Sequence, residues 1–246
     1  MSIPFASAEI PFVDTSQMRE VDRVMMQDYK IELIQMMENA GRNLAHLARV
    51  RFLNMDPVNK RVTILAGTGG NGGGALVSAR RLHNWGAQVQ VLATRADKAF
   101  SPAASHQLDI LNRMEIPILR AEQVDQVAPS DLIIDGLIGY SLLGAPRGAA
   151  AILTEWANRQ AAPILALDVP SGLDTTTGTA YAPVIQATAT MTLALPKVGL
   201  RSPDAKPYVG ELYLADISIP PALYREPALG LTVGPLFAES ELIRLW

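Results

Sequence analysis

The 246-residue chain has no cysteine, which excludes disulfides, thiolate metal sites and a cysteine nucleophile. Its three histidines, His46, His83 and His106, are scattered through helical stretches, so neither a histidine metal cluster nor a Ser-His-Asp relay has support. There is no basic excess: the formal net charge of -3 and the lack of a basic-aromatic tract argue against nucleic acid as a partner. The opening MSIPFASAEIPFVDT has no basic start and no long apolar run. Neither a signal peptide nor a membrane span is therefore expected, and a cytoplasmic location is the default. Repeats, coiled coils and low-complexity tracts are missing as well. What remains is an ordinary globular composition, 49% apolar and 18% charged, of a length suited to one large α/β domain.

The most informative segment that is present is VTILAGTGGNGGGALVSARRL, from Val62 to Leu82. A buried-looking strand runs into six glycines and then into a helix, the pattern of a ligand site built from backbone. The helix directs its positive dipole end at the same spot, so an anion such as a phosphate is the expected guest. Gly67, Gly69 and Gly72 fit the dinucleotide fingerprint, but no acidic residue closes the next strand to hold a ribose. The reading is a nucleotide or phosphate site outside the standard hydride-transfer enzymes. For Gly67 and Gly69 a tight turn is as good an explanation as ligand contact.

Asp14-Thr-Ser-Gln offers capping residues before a helix over Met18 to Tyr29, and a second helix is expected over Leu33 to Phe52. Residues 1–55 thus read as an N-terminal helical extension, packed on the sheet or against another subunit, and 56–246 as the α/β core of a single domain. Strands are expected at Arg61–Ala66, Gln88–Thr94, Ile116–Leu119, Leu132–Leu137, Ile164–Val169, Ala189–Leu195 and Glu211–Ile217. Helices are expected at Gly73–Trp85, Pro102–Met114 and Gly148–Gln160. This alternation predicts a Rossmann-like three-layer α/β/α sandwich, with a mainly parallel sheet and helices on both faces.

Ligands of such sheets bind beyond the carboxyl ends of the strands, where three polar-tipped ends should converge. These are the glycine loop with Asn71, then Asp135 in IIDGLIGYSLLGAP, then Asp168 in ALDVPSGLD with Ser171 and Asp174. Two carboxylates on neighbouring strands can hold a cation or act as acid and base. Asp174 reads as a turn residue, and Tyr140 and Ser141 as surface residues or, for the tyrosine, a stacking platform. Lys197 in LPKVG could reach a phosphate or lie in solvent.

With these loops placed, the chain resembles the N-terminal YjeF family, whose characterised members are NAD(P)H-hydrate epimerases. The likeness rests on SQMREVDRVMMQDY and MMENAGRNLA, on GTGGNGGGALVSARRL, and on DLIIDGLIGYSLLGAPRG. It continues through LALDVPSGLDTTTG, ATATMTLALPKVGL and VGELYLADISIP. The resemblance implies an isomerase that interconverts the R and S forms of hydrated NADH or NADPH (NADHX, NADPHX), in repair of nicotinamide nucleotides. It implies substrate contacts at Gly70, Asn71, Gly72, Gly73 and Gly74, at Gly139, Tyr140, Ser141, Leu142, Leu143, Gly144 and Ala145, and at Asp168. Asp168 and Asp135 are the candidate catalytic carboxylates, either of them acid or base, and Asn71, Asp135 and Ser171 match positions that coordinate a potassium ion. A homodimer and a separate dehydratase as functional partner are also implied. The chain departs from the family in one loop: GNGGGA stands where the family has NNGGDG, so the loop acid is replaced by Gly74. Two outcomes follow from that departure: Asp135 and Asp168 suffice, or the chain is a catalytically impaired nucleotide-binding module. A third reading, an RNA-associated scaffold of the same superfamily, has the charge balance against it.

Overall fold

A computed structural model describes residues 3–7, 9–95 and 99–246. One eight-stranded sheet runs through it: β1 (Arg61–Ala66), β2 (Gln88–Ala93), β3 (Ile118–Arg120), β4 (Leu132–Gly136), β5 (Ile164–Leu167), β6 (Ala189–Leu193), β7 (Glu211–Ala215) and β8 (Leu242–Arg244). The spatial order is β3-β2-β1-β4-β5-β6-β7-β8, with every pair parallel except β7 and β8. From β1 the chain first builds outward through β2 and β3, then returns to build the other way from β4. The loops leaving β1 and β4 therefore diverge and leave a crevice between them, as expected at a topological switch point.

Side-chain alternation along β1 explains the layers. Val62, Ile64 and Ala66 face a core shared with α2 (Leu33–Arg51), α3 (Gly70–Asn84) and α4 (Pro102–Arg113), represented by Leu44, Leu76 and Leu108. Leu65 faces the other way, with Leu153 and Trp156 of α5 (Ala149–Asn158). Each fully buried leucine among these contributes about 2 kcal/mol of apolar transfer, so the two faces are comparable anchors. The three-layer prediction holds.

The N-terminal helices pack on this body. Helix α1 (Thr15–Gln27) starts at Asp14, whose side chain accepts from the Gln17 N–H at 2.8 Å while the Gln17 side chain accepts from the Asp14 N–H at 3.0 Å. Its buried Met18, Val21, Val24 and Met25 meet Leu214, Ile217 and Leu223 from the C-terminal part of the chain. Helix α2 lies on α3 at a close crossing, where Gly41 leaves no room for a β-carbon beside Val77 and the Gly74 carbonyl. No helix among the described residues is long and apolar enough to cross a membrane.

Several boundaries differ from expectation for local reasons. Helix α3 begins at Gly70 rather than Gly73, because glycine is disfavoured in helices by propensity yet is accepted here inside a packed turn. Strands β5 and β6 stop two residues early, since Asp168 and Ala194 take positive φ values of 67° and 66° and turn the chain out of the sheet. Strand β7 likewise ends at Ala215. Strand β3 begins later, at Ile118. The antiparallel β8 had no sequence signal, being three residues long. A short helix α6 (Lys206–Val209) precedes β7.

Candidate functional site

Three loops meet over the carboxyl ends of β1, β4 and β5. The turn after β1 is fixed by a hydrogen bond from the Gly67 N–H to the Gly136 carbonyl at 3.0 Å. Glycine is required at Gly67 and Gly72: a β-carbon on the first would overlap the Leu137 carbonyl, and one on the second would overlap the backbone of Gly67. This close approach brings the start of α3 against the loop that follows β4. Gly69 caps α3 without a side-chain bond, so the helix presents its first N–H groups and its dipole to the crevice.

Asp135 ties the second and third loops together. Its Oδ1 accepts from the Leu137 N–H at 3.1 Å and the Ser171 hydroxyl at 2.7 Å, and its Oδ2 accepts from the Ser171 N–H at 2.8 Å. The group is fully buried, and burial raises its pKa to about 6 against the lowering effect of the Ser171 and Leu137 bonds. The Ile138 N–H donates to the Ser171 hydroxyl at 2.9 Å, which extends the same network. Asn71 sits beside this knot. Its carbonyl borders Gly136, its side chain borders Gly139, and its amide nitrogen is buried without a partner.

The crevice opens into a cavity of about 470 Å³, within the usual range for small-molecule sites. Of the residues expected to contact substrate, Gly70, Asn71, Gly74, Gly139, Tyr140, Ser141 and Asp168 line it. Gly72 and Gly73 lie behind the wall, the latter against Met37. Leu142, Leu143, Gly144 and Ala145 continue the second loop beyond the cavity wall, with Leu143 87% exposed. Asp135 and Ser171 are in the layer beneath. The opposite wall is apolar, from Met18, Met26, Leu33, Met36 and Met37 of α1 and α2. Asp174 is a turn residue as expected, its Oδ1 accepting from the N–H groups of Thr176 and Thr177 at 3.0 and 2.7 Å.

At the floor stands Asp168, left-handed in φ and only 3% exposed. A non-glycine residue in that region costs energy that the surroundings must offset, here through a bond from its N–H to the Met191 carbonyl at 2.7 Å. Its Oδ1 forms an ion pair with Lys197, and its Oδ2 accepts from the Tyr140 N–H at 3.2 Å. Lys197 is completely buried and donates also to Thr192 Oγ1 at 3.2 Å and the Leu193 carbonyl at 2.8 Å. The lysine is neither solvated nor free to reach a phosphate: all three of its donors are taken. Facing Asp168 is Asp22 of α1, which sequence reading passed over. The Tyr140 hydroxyl donates to Asp22 Oδ2 at 2.5 Å. Burial raises the Asp22 pKa, the Tyr140 bond and the Lys197 charge oppose the rise, and the Asp168 charge adds to it. A signal was available: Asp22 lies four residues after Met18 and three before Met25, on the buried stripe of an otherwise amphipathic helix.

The arrangement combines an uncapped helix start, an oxygen-rich knot and a pair of differently partnered carboxyl groups around one cavity. Comparison with known proteins gives the family. Residues 33–199 match the family described as YjeF-related protein N-terminus. The chain is 40% identical over its whole length to an NAD(P)H-hydrate epimerase of Dehalogenimonas lykanthroporepellens, covering 98% of that protein. It is 35% identical to the bifunctional NAD(P)H-hydrate repair enzyme of Moorella thermoacetica over 86% of its own length, and spans 41% of that longer relative. The crystal structure of the yeast protein ynu0 superposes with a TM-score of 0.79 at 23% identity, covering 96% of this chain and all of that one. The chain belongs to the YjeF-related N-terminal family.

Proposed function

We propose that the protein is an NAD(P)H-hydrate epimerase, interconverting the R and S hydrates of NADH and NADPH. The observation that carries this reading is the end-to-end similarity to an epimerase of nearly the same length. The site supplies chemistry that suits it. In the hydrate a hydroxyl sits on a ring carbon bonded to nitrogen. Protonation of that oxygen lets the C–O bond break while the nitrogen lone pair forms a C=N bond. Water then adds to the other face and loses a proton to a base, so the atoms balance with only the configuration changed. Asp168, anchored by Lys197 and Tyr140 at the cavity floor, is suited to serve as that base. The start of α3 is suited to the substrate's phosphates.

The Asn71, Asp135 and Ser171 set fits a potassium ion. Turning the Asn71 amide would replace its unpartnered buried nitrogen with an oxygen, which with the Asp135 carboxylate and the Ser171 hydroxyl gives the oxygen donors that suit a hard monovalent cation. When bound, the ion would neutralise Asp135 and stiffen the two loops that form the cavity. The reading extends to a homodimer in the cytoplasm and to a dehydratase as functional partner, and the longer relatives' description as bifunctional repair enzymes supports a second activity beside this one.

The absence of an acid at Gly74 does not favour an impaired module, since Asp22 and Asp168 both line the cavity. To test the activity, purified protein is mixed with the R hydrate and a dehydratase specific for the S form. Consumption of R faster than its spontaneous epimerisation is expected; an unchanged rate refutes the reading.

A further inference from the structure

The sequence motifs point to Asp168, but the cavity holds a second carboxyl group from a distant part of the chain. Asp22 and Asp168 are the acids among the described residues that line it. Tyr140 holds both, with its backbone N–H on Asp168 and its hydroxyl on Asp22. The two differ in their counter-groups. Asp168 is paired with the Lys197 ammonium, whereas the hydrogen-bond partner of Asp22 is a neutral phenol at the apolar methionine wall. One carboxyl group is therefore paired with a cation, and the other is placed to carry a proton into an apolar site.

We propose that Asp22 is a catalytic residue of the epimerisation, giving a proton to the hydroxyl that leaves one ring face while Asp168 takes the proton of the water that adds to the other. This assignment rests on the epimerase reading above. The proton moves from Asp22 to the departing oxygen, the C–O bond breaks, and the ring nitrogen supplies the electron pair. Water then bonds to the carbon and passes one proton to Asp168, and the opposite epimer uses the two groups in exchanged roles. The groups facing Asp22 are Tyr140 from the loop after β4, Asp168 and Lys197 from the loops after β5 and β6, and Arg19, on α1 itself, which acts on Tyr140.

The competing explanation is that Asp22 only accepts the Tyr140 hydroxyl and so shapes the second loop. Asp22→Asn separates the two, because the amide oxygen can still accept that bond but the group cannot donate a proton as an acid. The test measures kcat, KM and the pH profile with the R hydrate and an S-specific dehydratase, for wild type, Asp22→Asn and Tyr140→Phe. For Asp22→Asn, kcat is expected to fall by about 100-fold or more with KM within about threefold. Tyr140→Phe removes a bond that favours the ionised acid, so the alkaline limb of the profile should move to higher pH. An Asp22→Asn enzyme within about threefold of wild type, or a limb unmoved in Tyr140→Phe, overturns the assignment. Wild type that fails to accelerate epimerisation overturns the epimerase reading itself. If Asp22→Asn does not fold, the Tyr140→Phe profile alone decides.

Discussion

Replacing Lys197 with methionine offers a direct measure of how the floor of the site is held. Methionine keeps the length and apolar stem of the lysine, so packing changes little, but the ammonium and its three bonds are lost. Asp168 then keeps the Tyr140 N–H as its hydrogen-bond donor. Breaking one side of a buried ion pair costs about 3–5 kcal/mol, because the remaining charge is left uncompensated. The lower end applies here, since Asp168 borders the cavity and its side chain is 5% exposed while that of Lys197 is 0% exposed. A loss of about 3 kcal/mol is a large share of the stability of a typical domain. Urea denaturation at pH 7 should therefore show a clear drop in midpoint for Lys197→Met. Asp168→Asn alone should also destabilise, by stranding the ammonium. The double variant replaces the pair with neutral groups and should lose much less than the sum, with a coupling of about 2–3 kcal/mol. If the two single losses add to within about 0.5 kcal/mol, the pair is not the anchor described and the reasoning fails.

Four further outcomes are expected. Gly72→Ala should destabilise by roughly 3 kcal/mol or more, because its β-carbon would meet the Gly67 backbone; Gly70→Ala, with only Leu33 at 4.0 Å, should cost less than about 1 kcal/mol, as compared by thermal melts. Gly74→Asp places its β-carbon 3.0 Å from a Leu167 methyl that can shift, so the acid should be accommodated; with Asp22 and Asp168 already present, coupled assays should show no more than about a threefold gain in kcat, and a larger gain would mean that the loop acid is needed. The Glu211 pKa is lowered to about 2, first by the Arg51 hydrogen bond, so its stabilising contribution is complete above the unfolded pKa near 4.5 and fades as pH falls through 2. Glu211→Gln should accordingly lose about 1 kcal/mol at pH 7 and almost nothing near pH 2, read from denaturation curves at both values. Exchange of potassium for choline should lower activity reversibly, and Asn71→Ala should weaken the response to potassium in a titration; equal rates in both salts would remove the ion from the account.

The fold was legible because strands alternate with helices along the chain, and because strands buried on two faces, such as β4, read as nearly continuous apolar runs. Boundaries were less so. The glycines at the start of α3 weigh against helix by propensity, and only the packing of Gly73 on Met37 and Gly72 on Gly67 shows why helix wins there. Likewise, nothing in the sequence marks Asp168 and Ala194 as left-handed, yet these two turns end β5 and β6 and carry the chain over the cavity.

The same distinction governs the site. Asn71, Asp135, Asp168 and Ser171 could be found because each ends or follows a strand or lies in a glycine loop, and parallel topology forces such ends together. Asp22 escapes that rule, and Lys197, though it follows a strand, has a partner that the rule does not give. The first comes from a helix that precedes the sheet, and the second from a loop after β6, two strands away from the switch point. Their place follows from charge instead: an apolar helix stripe interrupted by an acid, and a lysine between buried apolar residues, are each too costly to bury alone. Asp168 resolves the second cost by ion pairing, and Tyr140 resolves the first by donating its hydroxyl. The burial of Asp22 and Lys197 is thus tolerable only because Tyr140 and Asp168 are already there, which ties all four to one site.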